Sequence, residues 1–234
     1  MATKQAGVKI NENLYEINLG RVKAFLIKMK DNGLILIDTG MPNSHGAIVK
    51  YINSIGGSIS DLRLIILTHA HIDHFGSAYY LQKLSGAHVA VHENGIKYVN
   101  GESGLLMPVA RSSKSLKDKF TAFLVPIFTK FVKPHYIKPD MVLKEGVFPK
   151  DFKINARILE TPGHTKDSIS IYLEDSKVAI IGDLLFGTPS KLVAPSFFED
   201  YISLINSVKK IKDLDPDLIC VSHGKDHNVS DISI

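Results

Sequence analysis

The sequence runs to 234 residues with 44% apolar and 22% charged side chains, enough chain to bury a substantial core in one large domain. Its 28 Lys and Arg against 24 Asp and Glu leave a formal charge of +4 spread along the chain, which excludes the concentrated basic surface of a nucleic-acid binder. A single cysteine, Cys220, excludes an internal disulfide framework and fits a cytoplasmic setting, while the first residues carry no apolar signal segment and no apolar run nears the roughly 18 residues that cross a membrane.

Taken in chain order, Asn13 to Gly20 and Val22 to Lys28 read as strands, followed by the wholly apolar run Leu34 to Ile37. Asp31-Asn32-Gly33 joins the last two as a hairpin turn, because Asn and Gly tolerate positive φ. Ser44 to Ile55 predicts a helix with Ile48, Val49, Tyr51, Ile52 and Ile55 on one face, ended by Gly56-Gly57. Leu62 to Leu67 predicts a strand, Phe75 to Leu84 a helix, and Ala87 to Val91 another strand. Residues 111 to 134 set Leu116, Phe120, Phe123, Leu124, Ile127, Phe128 and Phe131 at helical spacing among lysines, with Pro126 kinking the run. The plain expectation there is an amphipathic helix on the core. The functional one is a lid whose Phe120, Phe123 and Phe131 line a substrate pocket. Ile154 to Leu159, Ser168 to Leu173, Lys177 to Ile181 and Leu218 to Val221 predict strands, and Phe197 to Ile211 a helix. Helices interspersed among buried strands in both halves predict a single α/β domain over residues 1–234.

The ten histidines are unevenly placed, and His69-Ala70-His71-Ile72-Asp73-His74 holds three of them with an aspartate. The stretch follows an apolar strand directly, so its side chains leave a strand end. In extended backbone His69 and His71 face the same way and can share one metal, while Asp73 and His74 can face a second. Imidazole nitrogen with carboxylate oxygen suits borderline divalent ions, zinc first, with iron or manganese as alternatives. His164 in Pro162-Gly163-His164-Thr165, Asp183 after Gly182, and His223 before Gly224 are further candidates, each delivered by an apolar strand to a loop. His45, His88, His92 and His135 read as ordinary packing or surface residues, and His227 as solvent-exposed. No Gly-x-Ser-x-Gly elbow occurs, and Cys220 lies on a strand as a core thiol, so nothing points to a covalent nucleophile.

Five motifs in order, Leu36-Ile37-Asp38-Thr39-Gly40, the His69 to His74 cluster, Gly163-His164-Thr165, Gly182-Asp183 and Ser222-His223-Gly224, resemble those of the metallo-β-lactamase superfamily. The resemblance implies a four-layer αββα sandwich with the site at one edge of the sheets. It implies two divalent ions, one held by His69, His71 and His164 and the other by Asp73, His74 and His223. Asp183 would bridge them, and Asp38 would support the site from behind by orienting a ligand or loop. It also implies a metal-bridging hydroxide that attacks a carbonyl or phosphoryl centre, with Asp73 relaying a proton.

Departures within the superfamily narrow the expectation. Asp183 stands where some β-lactamases use cysteine, which resembles the lactonase, glyoxalase II and phosphodiesterase branches. Phe186 stands where acyl-homoserine lactonases carry tyrosine, and joins the candidate pocket. The 11 residues after His223 leave no room for the helical glutathione domain common in glyoxalase II. Gly187 to Lys191 lacks the arginines of persulfide dioxygenases. The expected activity is hydrolysis of an ester, thioester or lactone of a small molecule. Phosphoester hydrolysis and a mononuclear-iron persulfide dioxygenase are the alternatives, and a homodimer is left open.

Overall fold

The computed structural model describes residues 6–107 and 134–234. Phe120, Phe123 and Phe131, with nearly all of the expected helix over 111–134, lie outside the described residues. Among those described, the first half forms a sheet of β1 (Gly7–Lys9), β2 (Leu14–Asn18), β3 (Lys23–Lys28), β4 (Leu34–Ile37), β5 (Leu62–Ile66), β6 (His88–His92) and β7 (Met141–Leu143), adjacent in that order. Strands β1 to β4 run antiparallel, and β4 to β7 run parallel. Asn32 turns the β3–β4 hairpin at φ 64°, as its Asn-Gly chemistry predicts. Helices α1 (His45–Ser54), α2 (Ile72–Phe75), α3 (Ala78–Ser85) and α4 (Ile96–Val99) fall between these strands. The second sheet is built from β8 (Gly146–Val147), β9 (Ala156–Glu160), β10 (Ile169–Leu173) and β11 (Val178–Ile180). After a small separate hairpin of β12 (Phe186–Gly187) and β13 (Leu192–Val193) come helix α5 (Tyr201–Asp213) and β14 (Leu218–Cys220). Strand β14 pairs parallel to β11 at the edge of the second sheet.

Side-chain alternation stacks these elements into four layers. In β4, Leu34 and Leu36 pack with Ile48 and Ile52 of α1, whereas Ile35 and Ile37 face the opposite way into the space between the sheets. There they meet Phe148, Ile158, Ile169, Ile171, Ile180 and Cys220. The outer face of the second sheet, with Leu159, Tyr172, Ala179 and Ile219, packs on Leu204, Val208 and Ile211 of α5. The order is therefore helix, sheet, sheet, helix, as expected.

Two helix boundaries differ from the sequence reading. The predicted helix Phe75 to Leu84 is split, because Gly76 packs against Pro42 and Ser77 turns its hydroxyl to Met41 O while accepting from Ser44 N. The predicted helix from Phe197 starts later, at Tyr201, where the Asp200 side chain accepts from Ile202 N as N-cap. No helix among the described residues is long and apolar enough to cross a membrane.

Candidate metal centre

The parallel strands end at one edge of the sandwich, and that edge collects the polar residues. Asp38 follows β4 directly, while His69, Asp183 and His223 each lie three residues past β5, β11 and β14. Strand ends can hold polar groups there because the apolar strands behind them fix the backbone, which a flexible loop would not. Gly182 makes the approach of Asp183 feasible: it sits at φ 55°, and a Cβ there would lie 2.9 Å from Thr68 Oγ1.

Seven side chains converge in two groups. His69, His71, His164 and Asp183 bring one ligand atom each to within 4.8 Å of one another, and so do Asp73, His74 and His223. His71 Nδ1 lies 2.9 Å from His69 Nε2 and 3.0 Å from His164 Nε2. His223 Nε2 lies 3.4 Å from Asp73 Oδ2 and 3.3 Å from Asp183 Oδ2. His74 Nε2 lies 3.4 Å from Asp183 Oδ1, and both of these buried atoms lack a hydrogen-bond partner.

The outer ring nitrogens explain why the inner ones face each other. His164 Nδ1 donates to Phe197 O at 2.7 Å, His223 Nδ1 to Arg21 O at 2.7 Å, and His74 Nδ1 to Asp38 Oδ2 at 2.7 Å. His69 Nδ1 lies 3.1 Å from Thr68 Oγ1, whose own hydroxyl donates to Asp38 Oδ2 at 2.8 Å. Whenever one of these imidazoles is in its neutral form, its Nδ1 contact therefore leaves an Nε2 lone pair turned inward. His71 Nδ1 can supply a proton to one neighbouring lone pair but not to two. Lone pairs and carboxylate oxygens crowded without enough protons between them form a donor set for cations, and nitrogen with oxygen suits zinc-like ions. The residues present thus fit the metals that the motifs imply.

The two groups differ electrostatically. In the first, burial drives the imidazoles toward the neutral form: His71 is pushed down to about 3, with His164 adding to the effect, and His69 and His164 are lowered too. In the second, burial opposes charge on every group but is outweighed. Asp38, Asp183 and Asp73 hold His74 well above the usual histidine range, and Asp183 lifts His223 to about 10. The nearby imidazoles in turn hold Asp73 and Asp183 below the usual carboxylate range against the cost of burial.

Every residue expected at the site from the described part of the chain is in or beside it. Asp38 is fully buried behind His74 and accepts from Thr68 N at 2.8 Å. The Phe186 ring lies 4.9 Å from that of His223. His227, expected in solvent, is instead buried, with Nε2 donating to Thr188 O at 2.8 Å and Nδ1 3.2 Å from Asp231. Missed altogether was Asp167, a buried carboxylate that accepts from Ala70 N at 2.8 Å and so braces the backbone between His69 and His71. Its place three residues after His164 is the signal that could have found it.

A family model for the metallo-beta-lactamase superfamily matches residues 17–223. The probable metallo-hydrolase YflN of Bacillus subtilis is 26% identical over 234 aligned residues, covering 94% of this chain and 86% of the relative. Hydroxyacylglutathione hydrolase GloC of Haemophilus influenzae is 29% identical over 167 residues, covering 70% of this chain and 69% of its own. The crystal structure of a metallo-beta-lactamase family protein from Thermus thermophilus superposes with a TM-score of 0.70 at 20% identity, over 95% of this chain and 78% of that one. The family match runs from before Asp38 to His223, and the chain belongs to the metallo-beta-lactamase superfamily of metal-dependent hydrolases.

Proposed function

We propose that the site holds two divalent cations and hydrolyses an acyl compound of small size, thioesters first and oxygen esters or lactones next. The observation that carries the two-ion reading is Asp183. Its Oδ1 lies 3.4 Å from His74 Nε2, and its Oδ2 lies 3.5 Å from His164 Nε2 and 3.3 Å from His223 Nε2, so one carboxylate reaches both groups. In this reading His69, His71 and His164 hold one ion, Asp73, His74 and His223 hold the other, and Asp183 joins them. Zinc suits this donor set first, and iron or manganese next. Divalent ions bound there supply an acidified water and a Lewis acid for a carbonyl oxygen.

The chain's own residues supply the remainder. Asp73 keeps 30% of its side chain exposed beside the buried imidazoles, and it is held ionised. It is the group placed to take a proton from the attacking water and return it to the leaving group. Asp38 fixes the His74 ring through its 2.7 Å contact at Nδ1. Phe186 gives the substrate an apolar wall beside His223. The preference for thioesters is supported by the Haemophilus influenzae relative, whose name denotes a thioester substrate. We read residues 1–234 as one catalytic domain.

Initial rates on an S-acyl thioester, a lactone, an aryl ester and an aryl phosphodiester test the reading. The thioester should show the highest kcat/KM, with the rate lost on chelation and restored by zinc. Turnover of the phosphodiester ahead of every acyl substrate, or oxygen uptake with a persulfide, would contradict it.

A further inference from the structure

The loop that carries His223 is fastened to the first sheet at three points. Lys23 N donates to Ser222 O at 2.9 Å, His223 Nδ1 donates to Arg21 O at 2.7 Å, and Lys23 Nζ reaches Asp226 Oδ1 at 2.5 Å. The same Asp226 oxygen accepts from Val221 N at 3.0 Å. On its other side Lys23 Nζ lies 3.0 Å from Glu16 Oε2 of β2. All three side chains are largely removed from water, with exposures of 10% for Lys23, 17% for Glu16 and 14% for Asp226.

A buried triad of charges is a weak device for stability alone. Desolvating an ammonium and two carboxylates costs several kcal/mol per ion, and well-packed apolar residues of similar volume often do as well or better. That cost shows at Glu16, whose carboxyl is pushed up by burial, with Asp226 adding and Lys23 opposing. What the triad supplies is a fixed geometry, because the ammonium must sit between two carboxylates carried by different elements. The other side of the loop is equally constrained. Gly224 sits at φ +88°, a Cβ there would collide with Gly187 O, and Gly187 N donates to His223 O at 2.9 Å. Held from both sides, the loop has little freedom in where it presents the His223 ring.

We infer that Lys23, gripped between Glu16 and Asp226, is a positioning residue for the half-site of Asp73, His74 and His223, acting through the loop from Val221 to Asp226. The inference rests on the two-ion reading above. The group of His69, His71 and His164 takes no residue from this loop, so the two half-sites should respond differently when the triad is broken.

Calorimetric titration of chelator-treated full-length protein with zinc tests this without reference to turnover. The parent should show two binding steps, and the step abolished in His223→Ala marks the half-site concerned. Lys23→Met should weaken that step by roughly 10- to 100-fold while moving the other by less than about threefold, the scale on which supporting partners tune metal affinity. Asp226→Asn, which keeps the shape and an acceptor for Val221 N, should act in the same direction and carries the test if Lys23→Met does not fold. Parental affinity at the marked step, or equal weakening of both steps, would overturn the inference. A parent that binds only one zinc per chain would overturn the two-ion reading instead, and is seen before any variant is made.

Discussion

Four of the five clustered histidines have a partner for the ring nitrogen that points away from the centre. His69 has Thr68 Oγ1, His74 has Asp38, and His164 and His223 have the carbonyls of Phe197 and Arg21. The first two partners are side chains: Thr68 directly precedes the His69 to His74 cluster, and Asp38 lies inside a recognisable motif and is legible in the sequence as a supporting residue. The last two are main-chain oxygens that any residue type presents, so no composition or spacing could mark them. Lys23 and Asp226 are illegible for a related reason: they are 203 positions apart and meet only once two sheets are stacked. The partners also set protonation, and with it a prediction. Without metal, His69, His71 and His164 are neutral near pH 8, whereas His223, lifted to about 10, and His74, lifted well above its usual range, each carry a proton. Filling the second half-site must expel those protons, so about two should be released there and almost none at the first. The sign follows: zinc affinity at the second half-site rises with pH until His223 titrates near 10. Titrations in buffers of differing ionisation enthalpy measure the release, and equal release at both half-sites would contradict the assignment.

At the scale of elements, the core strands are legible because they alternate between two apolar layers or are apolar on both faces, as in β4 and β10, whereas β1, β7, β8, β12 and β13, of two or three residues each, are too short to show a period. Helix ends were less so. The run from Phe75 to Leu84 keeps helical spacing throughout, but Ser77 is drawn off by Met41 and Ser44 across 36 and 33 positions, which no local pattern encodes. The division of labour between strand interiors and strand ends predicts a contrast between two substitutions. Ile171, fully buried in the middle of β10 between the sheets, should cost roughly 2 to 5 kcal/mol of folding stability on Ile171→Ala and leave metal content unchanged. Asp183→Asn, beyond the end of β11, keeps its volume but loses an anionic oxygen. It should fold, bind less metal and hydrolyse at least about 100-fold more slowly, the scale of losing one strong electrostatic element. Urea unfolding beside metal analysis and rates separates the two, with exposed His88→Gln as control. A stable Ile171→Ala, or an Asp183→Asn at parental metal content and rate, would contradict that division.

Over the whole molecule, two sheets contribute to one edge. The first sends Asp38, His69, His71, Asp73 and His74, and the second sends His164, Asp183 and His223, so neither half of the chain carries a complete site. Leu64 to His69 and Asp217 to His223 echo each other in sequence, and each delivers a histidine from the end of a strand paired in parallel with a neighbour, β4 for β5 and β11 for β14. In the proposed two-ion reading Asp183 is the residue that joins the halves, because its two oxygens lie 3.4 Å from His74 Nε2, 3.5 Å from His164 Nε2 and 3.3 Å from His223 Nε2. Elemental analysis of the protein purified without chelators tests that claim most directly. The two-ion reading predicts close to two divalent ions per chain, one for each group that the Asp183 carboxylate reaches. A firm value of one, held as iron, would contradict it.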